Sequence, residues 1–238
     1  MNKVISHADA AMSREVLVSS NQHLLSGELK VPQNASGIVL FAHGSGSSRH
    51  SPRNRYVARR IRDAGVATLL FDLLTPQEEE MDLRTREFRF NITLLARRLA
   101  DATRWVNERA DRIADKSHVR HLRVGYFGAS TGGAAALVAA AELGARVGAV
   151  VSRGGRPDLA GEALGQVKSP TLLIVGGLDK TVIELNKSAY ARLHCEKELK
   201  VVPNASHLFE EPGTLEEVAR LAAEWFRRHL EHEDEEGG

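Results

Sequence analysis

Two alternating patterns of apolar residues run along this chain from residue 38 onward. Short, largely apolar runs are separated by longer segments whose apolar positions recur every three or four residues. Ile38–Ala42 has the composition of a central parallel strand buried on both faces, Val124–Phe127 that of a buried strand, and Val66–Phe71, Val147–Val151, Thr171–Val175 and Leu199–Val202 read as further strands. Between them, Ser51 as N-cap and Pro52 at the first helical position predict a helix through Asp63, stopped by Gly65. Pro76–Glu80 reads as an acidic loop. Phe88, Ile92, Leu95, Leu99, Ala102 and Val106 then predict one long helix over roughly Leu83–Ala110. Further helices are expected over Ala134–Leu143, Glu184–Leu193 and Leu215–His229. Ahead of residue 38, Glu15–Ser19 and Leu24–Val31 flank a turn-prone Ser-Ser-Asn-Gln and predict an antiparallel hairpin.

Strand alternating with helix implies an α/β fold, a mostly parallel central sheet with helices on both faces. At 238 residues the chain suits one large domain. Residues 13–231 are expected to form it, between a loose arm at 1–12 and an acidic, disordered tail at 232–238. Composition then narrows the partners. Formal net charge is +1, which gives no electrostatic case for nucleic acid or an acidic membrane. The arginines of the 83–110 segment are interleaved with acids, as on a solvated helix face. A single cysteine, Cys195, excludes an intramolecular disulfide and any multi-cysteine metal site, and it reads as an inert thiol. No apolar leader or membrane-length run occurs, so a cytoplasmic location is expected. His118 and His121 lack the glutamate and helical setting of a zinc site, so no metal is expected.

The candidate chemistry centres on Gly128-Ala129-Ser130-Thr131-Gly132-Gly133, a serine between an apolar strand and an alanine-rich helix. Glycines at −2 and +2 permit the tight turn that lifts a nucleophilic hydroxyl above the sheet edge. An alcohol needs a base and a group that orients the base. Asp179 follows Thr171–Val175 and two glycines; His207 follows the last strand. The order Ser130, Asp179, His207 is the one the α/β-hydrolase architecture requires. An oxyanion needs preorganised donors. The backbone N–H groups of Thr131 and of Ser45, in the loop after Ile38–Ala42, are the candidates. Asp72 also ends a strand and is the alternative acid, though structural hydrogen bonding explains it as well. Arg153 and Arg156, and Arg49 and Arg53 with His50, could bind a carboxylate or phosphate on a substrate, or form ion pairs with Asp158 or Glu78–Glu80.

The segments HGSGSSRHSPRN, FDLLT, GASTGG, SRGGRPDL, VGGLD and NASHLF, over roughly residues 36–230, resemble the dienelactone hydrolase-like branch of the α/β-hydrolase superfamily. That resemblance implies a Ser130–His207–Asp179 triad and ester hydrolysis without a cofactor. Dienelactone hydrolases proper use a cysteine nucleophile, and this elbow carries serine. The departure favours a general carboxylesterase acting on small esters. A thioesterase or acyltransferase would use the same triad, and a non-catalytic binding protein on this fold is the reading from another class. Only residues 152–168 are available for an inserted lid, so a minimal lid and an open, shallow site are expected. Oligomeric state is not specified by any pattern in the chain.

Overall fold

The computed structural model describes residues 12–109 and 122–231. The tail at 232–238, the His118/His121 pair and the expected arm, apart from Met12, lie outside the described residues. Among these, eight strands form one sheet: β1 (Met12–Ser20), β2 (His23–Val31), β3 (Gly37–Ala42), β4 (Ala67–Phe71), β5 (Arg123–Ala129), β6 (Val147–Arg153), β7 (Thr171–Gly176) and β8 (Lys197–Val202). Their order is β1-β2-β4-β3-β5-β6-β7-β8. The β1–β2 hairpin is antiparallel, and β2 joins β4 antiparallel. All pairings from β4 through β8 are parallel. Asn21 makes the hairpin turn at φ 50°, a conformation asparagine tolerates better than most residues.

The helices are α1 (Pro52–Asp63), α2 (Pro76–Thr85), α3 (Ile92–Asn107), α4 (Thr131–Leu143), α5 (Lys180–Arg192) and α6 (Thr214–Leu230). Side chains of β3 alternate between two cores, because successive residues of a strand point to opposite faces. Ile38, Leu40 and Ala42 meet Leu95 and Leu99 of α3 and Leu137 of α4. Val39 and Phe41 meet Val57 and Ile61 of α1 and Trp225 and Phe226 of α6. Each such aliphatic or aromatic side chain contributes about 1.5–3 kcal/mol when buried. Exposed pairs, such as Arg220 with Glu217 and Glu224 on α6, contribute about 0.3–0.5 kcal/mol, so the two cores decide the fold.

The stretch 76–110 differs from its sequence reading in two places. The acidic "loop" is a helix. Thr75 Oγ1 accepts the Glu78 N–H at 3.2 Å and the Glu78 carboxylate accepts the Thr75 N–H at 2.8 Å, a capping box that starts α2. The expected long helix is broken. Arg86 turns left-handed at φ 58°, and buried Asp82 accepts the N–H groups of Phe88 and Arg89 at 2.8 and 3.0 Å. Asn91 then caps α3 by accepting the Leu94 N–H at 3.0 Å. Buried Arg98 of α3 reaches back with both terminal nitrogens 2.6 Å from the Glu78 carboxylate oxygens, which ties α2 to α3.

Candidate active site

Because β3 to β8 run parallel, the loops leaving their carboxyl ends gather at one sheet edge, where ligands bind in such folds. His43, Asp72, Ser130, Asp179 and His207 follow β3, β4, β5, β7 and β8, and Arg153 ends β6. Ser130 joins β5 to α4 at φ 52° and ψ −121°, a region that side-chain-bearing residues rarely occupy. The surroundings fix it there. Its N–H donates to the Arg153 carbonyl at 3.2 Å, and its own carbonyl accepts from Gly133 and Arg156 at 3.0 and 3.1 Å. A Cβ on Gly132 would lie 2.1 Å from the Ala42 carbonyl oxygen, so only glycine lets α4 start this close to β3. Thr131 is the first residue of α4, where no carbonyl lies four residues back to accept its N–H.

His207 Nδ1 lies 2.7 Å from Asp179 Oδ2. A carboxylate only accepts, so Nδ1 carries the hydrogen and Nε2 is left with its lone pair. The other Asp179 oxygen caps α5 by accepting the Val182 N–H at 3.4 Å, which anchors the carboxylate to a helix. Ser130 and His207 line one cavity of about 330 Å³, with Ser51, Arg53, Asn54 and Arg153. The Ser45 N–H donates to Thr131 Oγ1 at 3.0 Å, and the Ser45 hydroxyl donates to the Arg89 carbonyl at 3.2 Å.

The four candidate arginines separate by partner. Arg49 pairs with Asp72 and also donates its N–H to it at 2.8 Å, which occupies the carboxylate weighed as an alternative acid. Arg156 forks onto both oxygens of Asp158 at 2.8 and 2.7 Å. Arg53 and Arg153 remain in the serine cavity. Among the described residues, Arg53 pairs only with the exposed Glu210, at 3.2 Å. Arg153 is 6% exposed, and its Nε has no hydrogen-bond partner among the described residues. Its Nη2 approaches Asn54 Oδ1 at 3.4 Å, and the guanidinium stands 5.8 Å from the Phe209 ring centroid. Burial, then Arg53, push its pKa down to about 10, so it stays cationic at neutral pH.

A second cavity of about 340 Å³ lies across the Gly44–Ser47 loop, lined by Leu73, Leu74, Leu83 and Leu95 with Ser45 and Thr131, and by the charged Glu79, Glu80, Asp82 and Arg89. The chain between β4 and α3 builds it. Residues 152–168, the only lid segment considered from sequence, form the short helical stretch Pro157–Gln166. The missed room had a signal in Thr75-Pro76-Gln77-Glu78, a capping box that announces a helix beside the site. Asn54 had no such signal; its role follows from burial against Arg153.

His43 holds this wall in place. Its Nε2 accepts the Leu73 N–H at 3.0 Å while Nδ1 faces the Gly44 carbonyl at 3.1 Å, an arrangement for the neutral imidazole. Burial pushes its pKa below the ordinary 6.5, against weaker opposing effects of the Gly44 carbonyl and Asp72. The folded state therefore binds fewer protons than the unfolded one. The stability this confers is complete above the unfolded pKa and is lost as pH falls below it. We expect His43→Gln, which keeps an acceptor, to flatten the fall in stability between about pH 7 and 5, a fall of at most about 1.4 kcal/mol per pH unit. Urea unfolding of both proteins across that range measures it. Identical slopes would assign the effect to other histidines.

Three comparisons bear on this edge of the sheet. The dienelactone hydrolase family matches residues 25–232. A dienelactone hydrolase from Anabaena variabilis is 60% identical, with a TM-score of 0.88 over 92% of this chain and 99% of that one. Est1E from Butyrivibrio proteoclasticus, 15% identical, shares the fold with a TM-score of 0.71 over 92% of this chain and 98% of its own. A Mycobacterium tuberculosis protein named "Putative phosphoribosyl transferase" is 58% identical over 216 residues, 91% of this chain and 46% of that protein. The chain thus spans about half the length of that relative. No helix among the described residues is long and apolar enough to cross a membrane.

Proposed function

The chain belongs to the dienelactone hydrolase family, and from that membership and the geometry of its elbow we propose a serine-dependent carboxylic ester hydrolase. Ser130 is the nucleophile, His207 the base and Asp179 the group that orients the base. The observation that carries this reading is the 2.7 Å contact from His207 Nδ1 to Asp179, beside a cavity lined by both Ser130 and His207.

Ser130 Oγ bonds to the acyl carbon as its proton passes to His207 Nε2. Asp179 stabilises the imidazolium through Nδ1. The developing oxyanion is held by the Thr131 N–H and by the Ser45 N–H, each such donor accounting for about 10²–10³-fold in rate. At rest the Thr131 hydroxyl accepts the Ser45 N–H, and an entering carbonyl oxygen takes its place. The bond from the acyl carbon to the leaving oxygen breaks, and His207 gives its proton to that oxygen. Water repeats the sequence in reverse, releasing the acid and restoring Ser130. The transferase name belongs to proteins of which this chain matches less than half, and it is not carried over.

The test is covalent labelling of the native protein with a fluorophosphonate, followed by mapping of the modified peptide. The adduct is expected on Ser130, with turnover of a short-chain aryl ester lost in step with labelling. An adduct elsewhere, or none, rejects the assignment.

A further inference from the structure

Both cavities of the site share the Gly44–Ser47 loop as a wall, with Thr131 lining one and Ser130 the other. If the reading above holds, the scissile carbonyl sits at that partition and the two ends of the substrate diverge into chambers of opposite character. One is lined by four leucines together with Glu79, Glu80 and the Arg89–Asp82 ion pair. The other holds two guanidinium groups and a row of serine hydroxyls, and no carboxylate lines it among the described residues. We propose that the natural substrate is an ester with one apolar end and one anionic end, the anion a compact oxyanion seated against Arg153 and Arg53.

Arg153 carries the argument. A guanidinium withdrawn from water needs a counter-ion or a full set of acceptors. Among the described residues its five N–H donors find one acceptor, Asn54 Oδ1 at 3.4 Å, beside the Phe209 ring, and the buried Nε finds none. No carboxylate among the described residues pairs with Arg153: Asp72 and Asp158 are taken by Arg49 and Arg156, and the exposed Glu210 pairs with Arg53. A carboxylate or phosphate oxygen would complete the fork geometry that arginine offers. An exposed pair such as Arg53–Glu210 is weak enough for an incoming anion to compete with it.

Matched esters test the proposal. Phenyl butyrate is compared with its 4-carboxy and 4-phosphonooxy derivatives, and 4-nitrophenyl pentanoate with the 4-nitrophenyl monoester of glutaric acid. In the native enzyme at least one anionic ester is expected to exceed its neutral partner at least tenfold in kcat/KM, and its identity tells carboxylate from phosphate and the acyl side from the leaving side. Arg153→Met is expected to bring that ratio close to one, with Arg153→Lys retaining part of it. Should Arg153→Met fail to fold, Arg53→Met at the half-buried first turn of α1 is expected to lower the ratio two- to fivefold. Native enzyme that labels at Ser130 but shows no anionic preference overturns this proposal and leaves the hydrolase standing. A preference that survives in the arginine variants overturns it too, and an unlabelled Ser130 overturns both.

Discussion

Alanine at Ser130 is expected to lower kcat for an aryl ester by about 10⁶-fold, and alanine at His207 by about as much. The double variant should be no slower than either single one. The nucleophile and its base act as one device, since neither the proton transfer nor the attack survives the loss of its partner. Whatever rate remains comes from substrate binding and from the Thr131 and Ser45 N–H groups, which neither substitution removes. The geometry makes the expectation sharp. His207 is held from its Nδ1 side by Asp179, and Asp179 is itself fixed as the cap of α5, so the imidazole stays in place when Ser130 is shortened. Steady-state kinetics on the three variants, with labelling to detect contaminating native enzyme, is the measurement. A Ser130→Ala protein within tenfold of native, or losses that multiply in the double variant, would sink the triad.

The parallel sheet was legible from residue 38 onward because its inner strands, such as β3, β4 and β7, are buried on both faces and so read as largely apolar runs. Ser51-Pro52 fixed the start of α1 to the residue, since capping chemistry is local. The 76–110 stretch was misread for a physical reason. The apolar spacing from Phe88 to Val106 continues across a chain break that is imposed by Asp82, a buried carboxylate collecting backbone N–H groups. Periodicity reports which face is apolar and is silent on a polar group that reorders the backbone. The site divides in the same way. The gathering of Ser130, Asp179 and His207 at one edge was legible because each follows a strand of the parallel sheet. Arg49, Arg53, Arg153 and Arg156 look alike in sequence, and only folding separates those with a carboxylate partner, Arg49, Arg53 and Arg156, from Arg153, which has none among the described residues.

Gly132→Ala is expected to cost more than about 4 kcal/mol, enough to remove most of the folded protein, because the added methyl has nowhere to go. Its Cβ would stand 2.1 Å from the Ala42 carbonyl oxygen, 2.7 Å from the carbonyl carbon and 2.8 Å from the His43 carbonyl oxygen. All three are backbone atoms at the end of β3, a wholly buried strand hydrogen-bonded on both sides, so no rotamer change relieves the contact. Relief requires moving α4 away from β3, and that movement would carry Ser130 and the Thr131 N–H with it. Gly65 is the control that isolates the cause. It sits at φ +83° with nothing within 4 Å of an added Cβ, so Gly65→Ala introduces left-handed strain alone, about 1–2 kcal/mol. Urea denaturation of the two variants beside the native protein separates close approach from backbone strain. If Gly132→Ala were no more costly than Gly65→Ala, the packing of the elbow against β3 could not be what holds Ser130 in its strained conformation. A Gly132→Ala protein that folds but labels slowly would place the displacement of α4 at the nucleophile itself.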